Sequence, residues 1–380
     1  MERGSVATQT KILILHASAG HGHQKAAMAI EEACREFYPA ADIRVKDTLE
    51  FTSSFFGNFY KEFYLFQIKY IPWLWGVFYY SLDIPLVYSL MKPIRRLMNA
   101  MSFGRLADYM IAENPSMIVA THFMSVEVAS SLKKRGKLSA KLVTVVTDYL
   151  PHFVWMAEGV DAYIVASSEA KEELTRRGVP QERVHLLGIP IGKKFWETEP
   201  PKTAAELGLK ADVFTVLVTS GGAGIGGIGR IAEQLALSKK SMQILVVCGT
   251  NRELQKRLET EALRNPWIHV YGFVNNMNEL MAVSNLVVGK GGGLTITESF
   301  SKGKPVILFK PVPGQEARNA DLVKKYKAGF VTDSTDEAVG KVIEIFENPA
   351  LYQTLCAGAK TFSRPSAAKA IVQFLQHELS

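Results

Sequence analysis

Short aliphatic and β-branched runs alternate with longer segments of helical period along most of the chain. In the first half, Ile12–Leu15, Ile43–Val45, Met117–Ala120, Leu142–Val146 and Ile164–Ala166 read as strands. The alternation implies parallel strands joined by crossover helices, and so an α/β class. After the first run, Ala26, Ile30, Ala33, Cys34 and Phe37 fall on one face of a helix. The segment "GIPIGKKFWETEPPK", Gly188 to Lys202, mixes Gly, Pro and charge and reads as an interdomain connection. The pattern then starts again. "VFTVLVTSGGAGIGG", Val213 to Gly227, is a strand followed by a glycine-rich loop, and "MQILVVCG", "WIHVYGFV", "NLVVGKGGG" and "KPVILFKPVPG" give further strands ending in Gly or Pro. We therefore expect two doubly wound, Rossmann-like domains facing across a cleft. The expected bounds are 1–195 and 196–365, with a C-terminal helix at 366–380 returning to the first domain. Folds of this kind bind ligands at the carboxyl ends of their strands.

Composition narrows the partners more than the fold. The chain has 380 residues, 47% hydrophobic and 21% charged, a length that favours two domains over one. Its formal net charge of +7 suits an acidic ligand or an anionic surface. Nucleic acid is not expected, because there is no zinc spacing, aromatic RNA-binding motif or long basic tail. Cys34, Cys248 and Cys356 are far apart and form no CxxC pair, which suggests free thiols in a reducing compartment. The start, "MERGSVATQTKILILHASAG", reads as a buried first strand and not as a signal peptide. The most apolar region, Phe51 to Met101, is interrupted by Lys61, Lys69, Pro72, Asp83 and Pro85, so no membrane span is expected.

The strongest local signal is "VVGKGGGLTITESFSKGKP". A strand ends at Gly289, three glycines follow, and a helix is expected from about Leu294 to Lys302. Glycines at such a junction let backbone N–H groups approach a ligand, and the helix start adds unpaired donors and partial positive charge. Lys290 and Thr295 offer a cation and a hydroxyl, and Glu298 a carboxylate suited to a ribose. "PVPGQEARNA", Pro311 to Ala320, follows the next strand and presents Gln315 and Glu316, an amide and a carboxylate suited to sugar hydroxyls. Taken singly, either loop is equally a tight surface turn.

"SAGHGHQKAA" also ends a strand and opens a helix, which places His23 near the helix start. His16, His21 and His23 raise the alternative of a metal site, but the spacing lacks a third ligand of known position, and no metal is expected. His122 and His152 follow predicted strands, which leaves two alternatives, lining the cleft or the more common structural, hydrogen-bonded role.

Together, "GKGGGLTITESFSKGKPVILFKPVPGQEARNA", "SAGHGHQKAA" and "VTDYLPHFVW" closely resemble the bacterial processive diacylglycerol glucosyltransferases. They are also similar to the plant monogalactosyldiacylglycerol synthases and, more distantly, to the peptidoglycan N-acetylglucosaminyltransferase. The likeness runs from Ile12 to about Ala368. It implies a GT-B fold and inverting transfer of a hexose from a UDP-sugar, glucose or galactose, to diacylglycerol at the cytoplasmic face of a membrane. It implies that Gly291, Gly292, Gly293 and Thr295 hold the diphosphate, Glu298 the ribose, and Gln315 and Glu316 the hexose. Phe273 and Val274 then lie by the nucleobase, and Gly22 and Lys290 are further donor contacts. His23 matches the family's general base, since an acceptor hydroxyl needs a proton acceptor, and Asp148 is a candidate to orient base or acceptor. The chain has no D-x-D motif, in keeping with helix dipole and lysine in place of a metal, so no cofactor is expected.

The stretch from Phe55 to Met101 is too aromatic for a routine loop. Trp73, Trp75, Phe78 and Tyr79, followed by Lys92, Arg95 and Arg96, pair apolar bodies with cations, as an anionic membrane surface requires. The alternative is that these rings pack into the first domain. At the level of function, two alternatives stand beside the transferase: a soluble UDP-sugar epimerase of the same fold, and a non-catalytic UDP-sugar sensor.

Overall fold

The computed structural model describes residues 10–18, 20–53, 62, 66–67, 70–197, 203–219 and 227–379. The chain divides into two compact units, 1–193 with 366–380, and 194–365. Each unit is built on a parallel sheet, with six strands among the described residues.

In the first unit the strands are β1 Lys11–His16, β2 Asp42–Asp47, β3 Met117–Ala120, β4 Lys141–Val145, β5 Ala162–Val165 and β6 Val184–Leu186. They lie in the order β2-β1-β3-β4-β5-β6. The short sixth strand carries two apolar residues beside His185 and was too brief for its pattern to be read from sequence. Side chains alternate across the sheet. Ile12 and Ile14 enter one core with Ile30, Ala33, Ile371 and Leu375, while Leu13 and Leu15 enter another with Leu106, Met110, Val128 and Leu132. Full burial of each such aliphatic side chain contributes about 1.5–3 kcal/mol. The first core joins the helix His21–Phe37 to the last helix, Ala367–Leu379, so the chain's end returns to the unit where it began. Gln376 Nε2 donates to the Phe37 carbonyl at 2.8 Å, and Lys141 pairs with Glu378 at 3.0 Å.

In the second unit the strands are β7 Phe214–Thr219, β8 Met242–Val247, β9 Ile268–Tyr271, β10 Leu286–Gly289, β11 Val306–Phe309 and β12 Gly329–Thr332. Their order is β12-β11-β10-β7-β8-β9. One core gathers Val216, Val218, Ile231, Leu235, Val342 and Leu355 beneath the helices Ile228–Leu237, Thr335–Glu347 and Pro349–Phe362.

Both sheets reverse direction once. In the first, the chain leaves β1 for β2 on one side and resumes with β3 on the other; in the second, β7 is flanked in the same way by β8 and β10. Loops diverge at such a switch point and leave a crevice beyond the strand ends. His23 follows β1 at the first of these places, and the Gly291–Gly293 turn follows β10 at the second. Among the described residues no helix is long and apolar enough to cross a membrane.

Candidate functional site

In the first unit the turn after β1 feeds the helix His21–Phe37, whose N-cap, Gly20, supplies no side-chain hydrogen bond. The helix therefore begins with uncapped backbone donors. His21 faces solvent and Gly22 is half-buried. His23 turns toward the switch point, where its Nδ1 lies 2.8 Å from the Thr121 carbonyl, just past β3. The Thr147 hydroxyl, past β4, is 2.9 Å from the same nitrogen. Thr121 also donates its own hydroxyl to the His23 carbonyl at 2.9 Å.

A carbonyl can only accept, so Nδ1 carries the hydrogen and Nε2 keeps its lone pair. That is the tautomer a general base needs. The ring packs edge-on against His122, with centroids 4.7 Å apart, and near Trp155 at 6.2 Å. Burial is the main cause that lowers its pKa to about 4; the Thr121 carbonyl works in the opposite sense and His16 adds a smaller depression. At neutral pH the imidazole is therefore uncharged, and part of the residue remains accessible.

The sequence missed Thr121 and Thr147 as partners of the base. Asp148, the residue next to Thr147, is half-buried in the same turn. The orienting contacts on Nδ1 come from Thr121 and Thr147. His122 caps the helix Phe123–Lys134, accepting from Met124 N at 3.3 Å. His152 is also structural: its Nε2 donates to the Tyr79 carbonyl at 2.8 Å, and its Nδ1 accepts from Val154 N at 3.1 Å. His16 is buried beside β2, and its Nδ1 has no hydrogen-bond partner among the described residues. Among the described residues no three His, Cys, Asp or Glu side chains gather as a metal site.

In the second unit β10 ends at Gly289 and the helix Gly293–Ser301 begins four residues later, with Gly292 at its N-cap. Gly291 is fixed tightly. A Cβ there would lie 2.9 Å from the Glu316 carbonyl oxygen and 3.0 Å from the Glu316 Cβ. The Asn319 amide donates to the Gly291 carbonyl at 2.9 Å. Gly292 is different, with nothing among the described residues within 4 Å of an added Cβ. The open side of this turn therefore presents bare backbone at a helix start, the arrangement that binds phosphate. Lys290 and Thr295 are half-buried on either side of it, and Glu298 is buried one turn further on. The glycine-rich run at 220–226 lies outside the described residues.

A second helix start lies at the end of the neighbouring strand, β11. Gly314 takes φ 101° and ψ −125°, a conformation open to glycine, and the helix Gln315–Lys325 follows. Gln315 is half-buried at its first position. Glu316 departs from the expectation of a sugar-binding pair, because its Oε2 accepts from Val312 N at 2.9 Å and so closes the turn. Burial raises the pKa of its carboxyl, with Val312 N–H, Lys290 and Gly291 N–H acting in the opposite sense. Asn319 was not foreseen; it lies one helical turn beyond Gln315 and Glu316, on their face of the helix. Beyond β9, the Phe273 side chain is 60% exposed and Val274 is half-buried. Neighbouring Gly272 packs against Gln255 so closely that a Cβ would fall 2.8 Å from its Oε1.

The aromatic stretch is described only in part, because 54–61, 63–65 and 68–69 lie outside the described residues. The helix Pro72–Leu82 exposes Trp73, Leu74, Val77 and Phe78, with Trp75 half-buried. Tyr79 corrects the expectation of a surface role: it is buried, with its ring 4.3 Å from that of His152. Arg95 corrects it as well. Its guanidinium is paired with Glu127 and sits 3.9 Å over the Tyr88 ring, so its charge is neutralised within the unit. The side chains of Lys92 and Arg96 lie outside the described residues. Asp83 anchors the end of the aromatic helix, accepting two bonds from Arg177 at 2.7 and 3.0 Å and one from Phe153 N at 2.8 Å.

Comparison with known proteins follows the same division. Residues 23–191 match the family described as monogalactosyldiacylglycerol (MGDG) synthase, and 215–370 match the glycosyltransferase family 28 C-terminal domain. A processive diacylglycerol beta-glucosyltransferase of Bacillus cereus is 29% identical over 370 residues, covering 97% of this chain and 94% of that protein. One from Staphylococcus epidermidis is 28% identical over 346 residues, 90% of this chain and 86% of the relative. Among solved structures, Acinetobacter baumannii MurG superposes with a TM-score of 0.62 at 11% identity, covering 97% of this chain and 99% of that one. The S. aureus MnaA–UDP co-structure gives 0.63 at 12%, with 98% and 97% covered. At those identities the structures establish the fold, the two-domain α/β arrangement of the GT-B glycosyltransferases.

Proposed function

Since the chain belongs to the family that unites monogalactosyldiacylglycerol synthases with diacylglycerol glucosyltransferases, we propose that it moves a hexose from a UDP-sugar to the free hydroxyl of diacylglycerol. The observation that carries the mechanism is the pinned tautomer of His23, with Nδ1 on the Thr121 carbonyl and the Nε2 lone pair left for an incoming hydroxyl.

In this reading the glycerol oxygen attacks the anomeric carbon from the side opposite the UDP. The new C–O bond forms as the anomeric carbon's bond to phosphate breaks, the hydroxyl proton passes to His23 Nε2, and the β-linked glycolipid results. The departing diphosphate gains its charge stabilisation from the open backbone at Gly292, the helix start behind it and Lys290. These groups perform the task that a divalent ion performs elsewhere, and we assign no metal to the reaction. Glu298 is the candidate ribose ligand, and Phe273 with Val274 the candidate nucleobase contact. Gln315 and Glu316 are the candidate hexose ligands, with the Glu316 carboxylate also accepting from Val312 N. Glucose as the hexose is supported by the B. cereus and S. epidermidis relatives, both β-glucosyltransferases. Peripheral contact with a membrane is supported by the exposed Trp73 and Phe78.

The test offers labelled UDP-glucose and UDP-galactose separately with diacylglycerol vesicles and identifies the product. A β-glucosyl lipid from UDP-glucose is expected. Hexose epimerised at the nucleotide level without lipid would instead establish an epimerase, and UDP-sugar binding without turnover would establish a sensor.

A further inference from the structure

The first unit holds a cavity on the side of its sheet covered by the helix Phe123–Lys134. It encloses about 900 Å³ between the helices Pro85–Ser102 and Phe123–Lys134 and the loops that enter β5 and β6. A volume of this order, roughly 300–1,000 Å³, is that of a small-molecule site and not of a packing defect. Its floor is apolar, formed by Phe103, Val128, Leu132, Met156, Val160 and Val179.

The charged residues around it are not balanced. Glu127 is taken up by Arg95, and Glu158 by Lys134 at 2.5 Å. Arg135 and Arg183 also line the cavity and are exposed, and no carboxylate in its lining is left to match them. The Arg183 guanidinium donates to the Val160 carbonyl at 3.3 Å. An apolar trough with surplus cations at its edge is complementary to a molecule that is hydrocarbon at one end and anionic at the other. A neutral diacylglycerol would leave the two arginines unused.

We propose that this cavity binds a long-chain anionic amphiphile, with a single acyl tail along the Leu132–Val160–Val179 floor and a carboxylate head at Arg135 and Arg183. The proposed contacts, Leu132, Val160 and Val179 with Arg135 and Arg183, share no residue with His23, Thr121 and Thr147, although the cavity wall at Phe153 and Met156 flanks Trp155, whose ring is 6.2 Å from that of His23.

The test uses the full-length protein with a palmitate carrying a photoactivatable diazirine in mid-chain, followed by peptide mapping. Saturable labelling is expected on Leu132, Val160 or Val179, with oleate competing and oleyl alcohol competing poorly. Reversing both rim charges, with Arg135→Glu and Arg183→Glu, should weaken oleate binding by roughly tenfold, the effect of a few partly exposed charge contacts. Both residues are on the surface, so the fold should persist, as an unchanged thermal midpoint would verify. Val179→Trp, which fills the floor, should remove the label. The proposal is overturned by labelling confined to the Pro72–Leu82 helix or the surroundings of His23, by equal competition from oleyl alcohol, or by charge reversals that leave oleate binding intact.

Discussion

The Nδ1 of His23 is 2.8 Å from the carbonyl oxygen of Thr121, the residue just past the strand on the far side of the sheet's switch point. That contact fixes which ring nitrogen carries the hydrogen, and a neutral acceptor does so without adding charge. The ring keeps a depressed pKa, and Thr147 supplies a second neutral acceptor to the same N–H.

Replacing His23 by Ala should lower kcat for diacylglycerol glycosylation by about 10²–10⁴, the usual worth of a general base, while the Kd for UDP stays near its original value. Thr147→Val removes one acceptor from Nδ1–H and should lower kcat by roughly tenfold with KM for the UDP-sugar unchanged. Because an acceptor at Nδ1 favours imidazolium, its loss should also move the acid limb of the kcat profile to lower pH. Thr147→Ser should restore both. A Thr147→Val enzyme with an unaltered rate and pH profile would remove Thr147 from the positioning role.

The pH dependence of stability has a definite sign. His23 titrates near 4 in the folded protein against 6.5 when exposed, with burial as the chief cause. Between those values the unfolded chain binds a proton that the folded protein resists, so stability falls as pH falls from 6.5 toward 4. Above 6.5 this contribution is constant. His122 is lowered well below its ordinary value by burial, and burial also lowers His16, His185 and His269, so all five act in the same direction. The urea midpoint should therefore be lower at pH 5 than at pH 7.5, and His23→Gln should shrink the difference. A midpoint that rises on acidification would contradict this account.

The two glycines at the head of the helix Gly293–Ser301 should respond differently to a methyl group. Gly291→Ala pushes a Cβ into the Glu316 backbone at 2.9 Å, and overpacking of this kind costs about 1–3 kcal/mol. Both global stability and UDP affinity should fall. Gly292→Ala meets nothing among the described residues within 4 Å, so stability should be nearly unchanged. If the phosphates approach that open backbone, its UDP affinity should still drop, by roughly tenfold. Calorimetric binding with a parallel melt separates the two variants. A Gly292→Ala protein that binds UDP normally would move the diphosphate elsewhere.

The contrast between these residues also shows what a sequence can reveal. The run Ile12–Leu15 and the Gly291–Gly293 turn are local patterns, in which a strand's apolar continuity and a glycine cluster carry their meaning within a few residues. Thr121 and Thr147 do not, because they meet His23 from 98 and 124 residues away. Nothing in an isolated threonine at a strand end marks it as the support of a base, and only the strand order β1-β3-β4 brings the three together. Asn319 is similar, its amide reaching Gly291 across 28 residues. Tyr79 fails for another reason. The helix around it is apolar on nearly every side, so periodicity does not say which rings face outward. Arg95 was misread because its partner, Glu127, lies on a helix whose placement depends on the whole unit.

Those corrections sharpen the expectation for membrane contact. Trp73 and Phe78 are 65% and 50% exposed, while Tyr79 packs on His152 and Arg95 is neutralised by Glu127. Insertion should therefore draw on exposed rings such as Trp73 and Phe78, with little help from Arg95. Fully burying an aromatic side chain is worth about 1.5–3 kcal/mol, and a ring that is already half covered gains less. Trp73→Ser combined with Phe78→Ser should lower vesicle affinity by about 10- to 100-fold in a flotation assay, and raise KM for vesicular diacylglycerol. Activity toward a short-chain, water-dispersed acceptor should be nearly preserved, because neither ring contacts His23, Thr121 or Thr147. Tyr79→Phe should float like the parent protein, as its ring faces inward. A double variant that still floats fully would show that the exposed face of this helix does not meet the bilayer, and that contact is made by another part of the first unit.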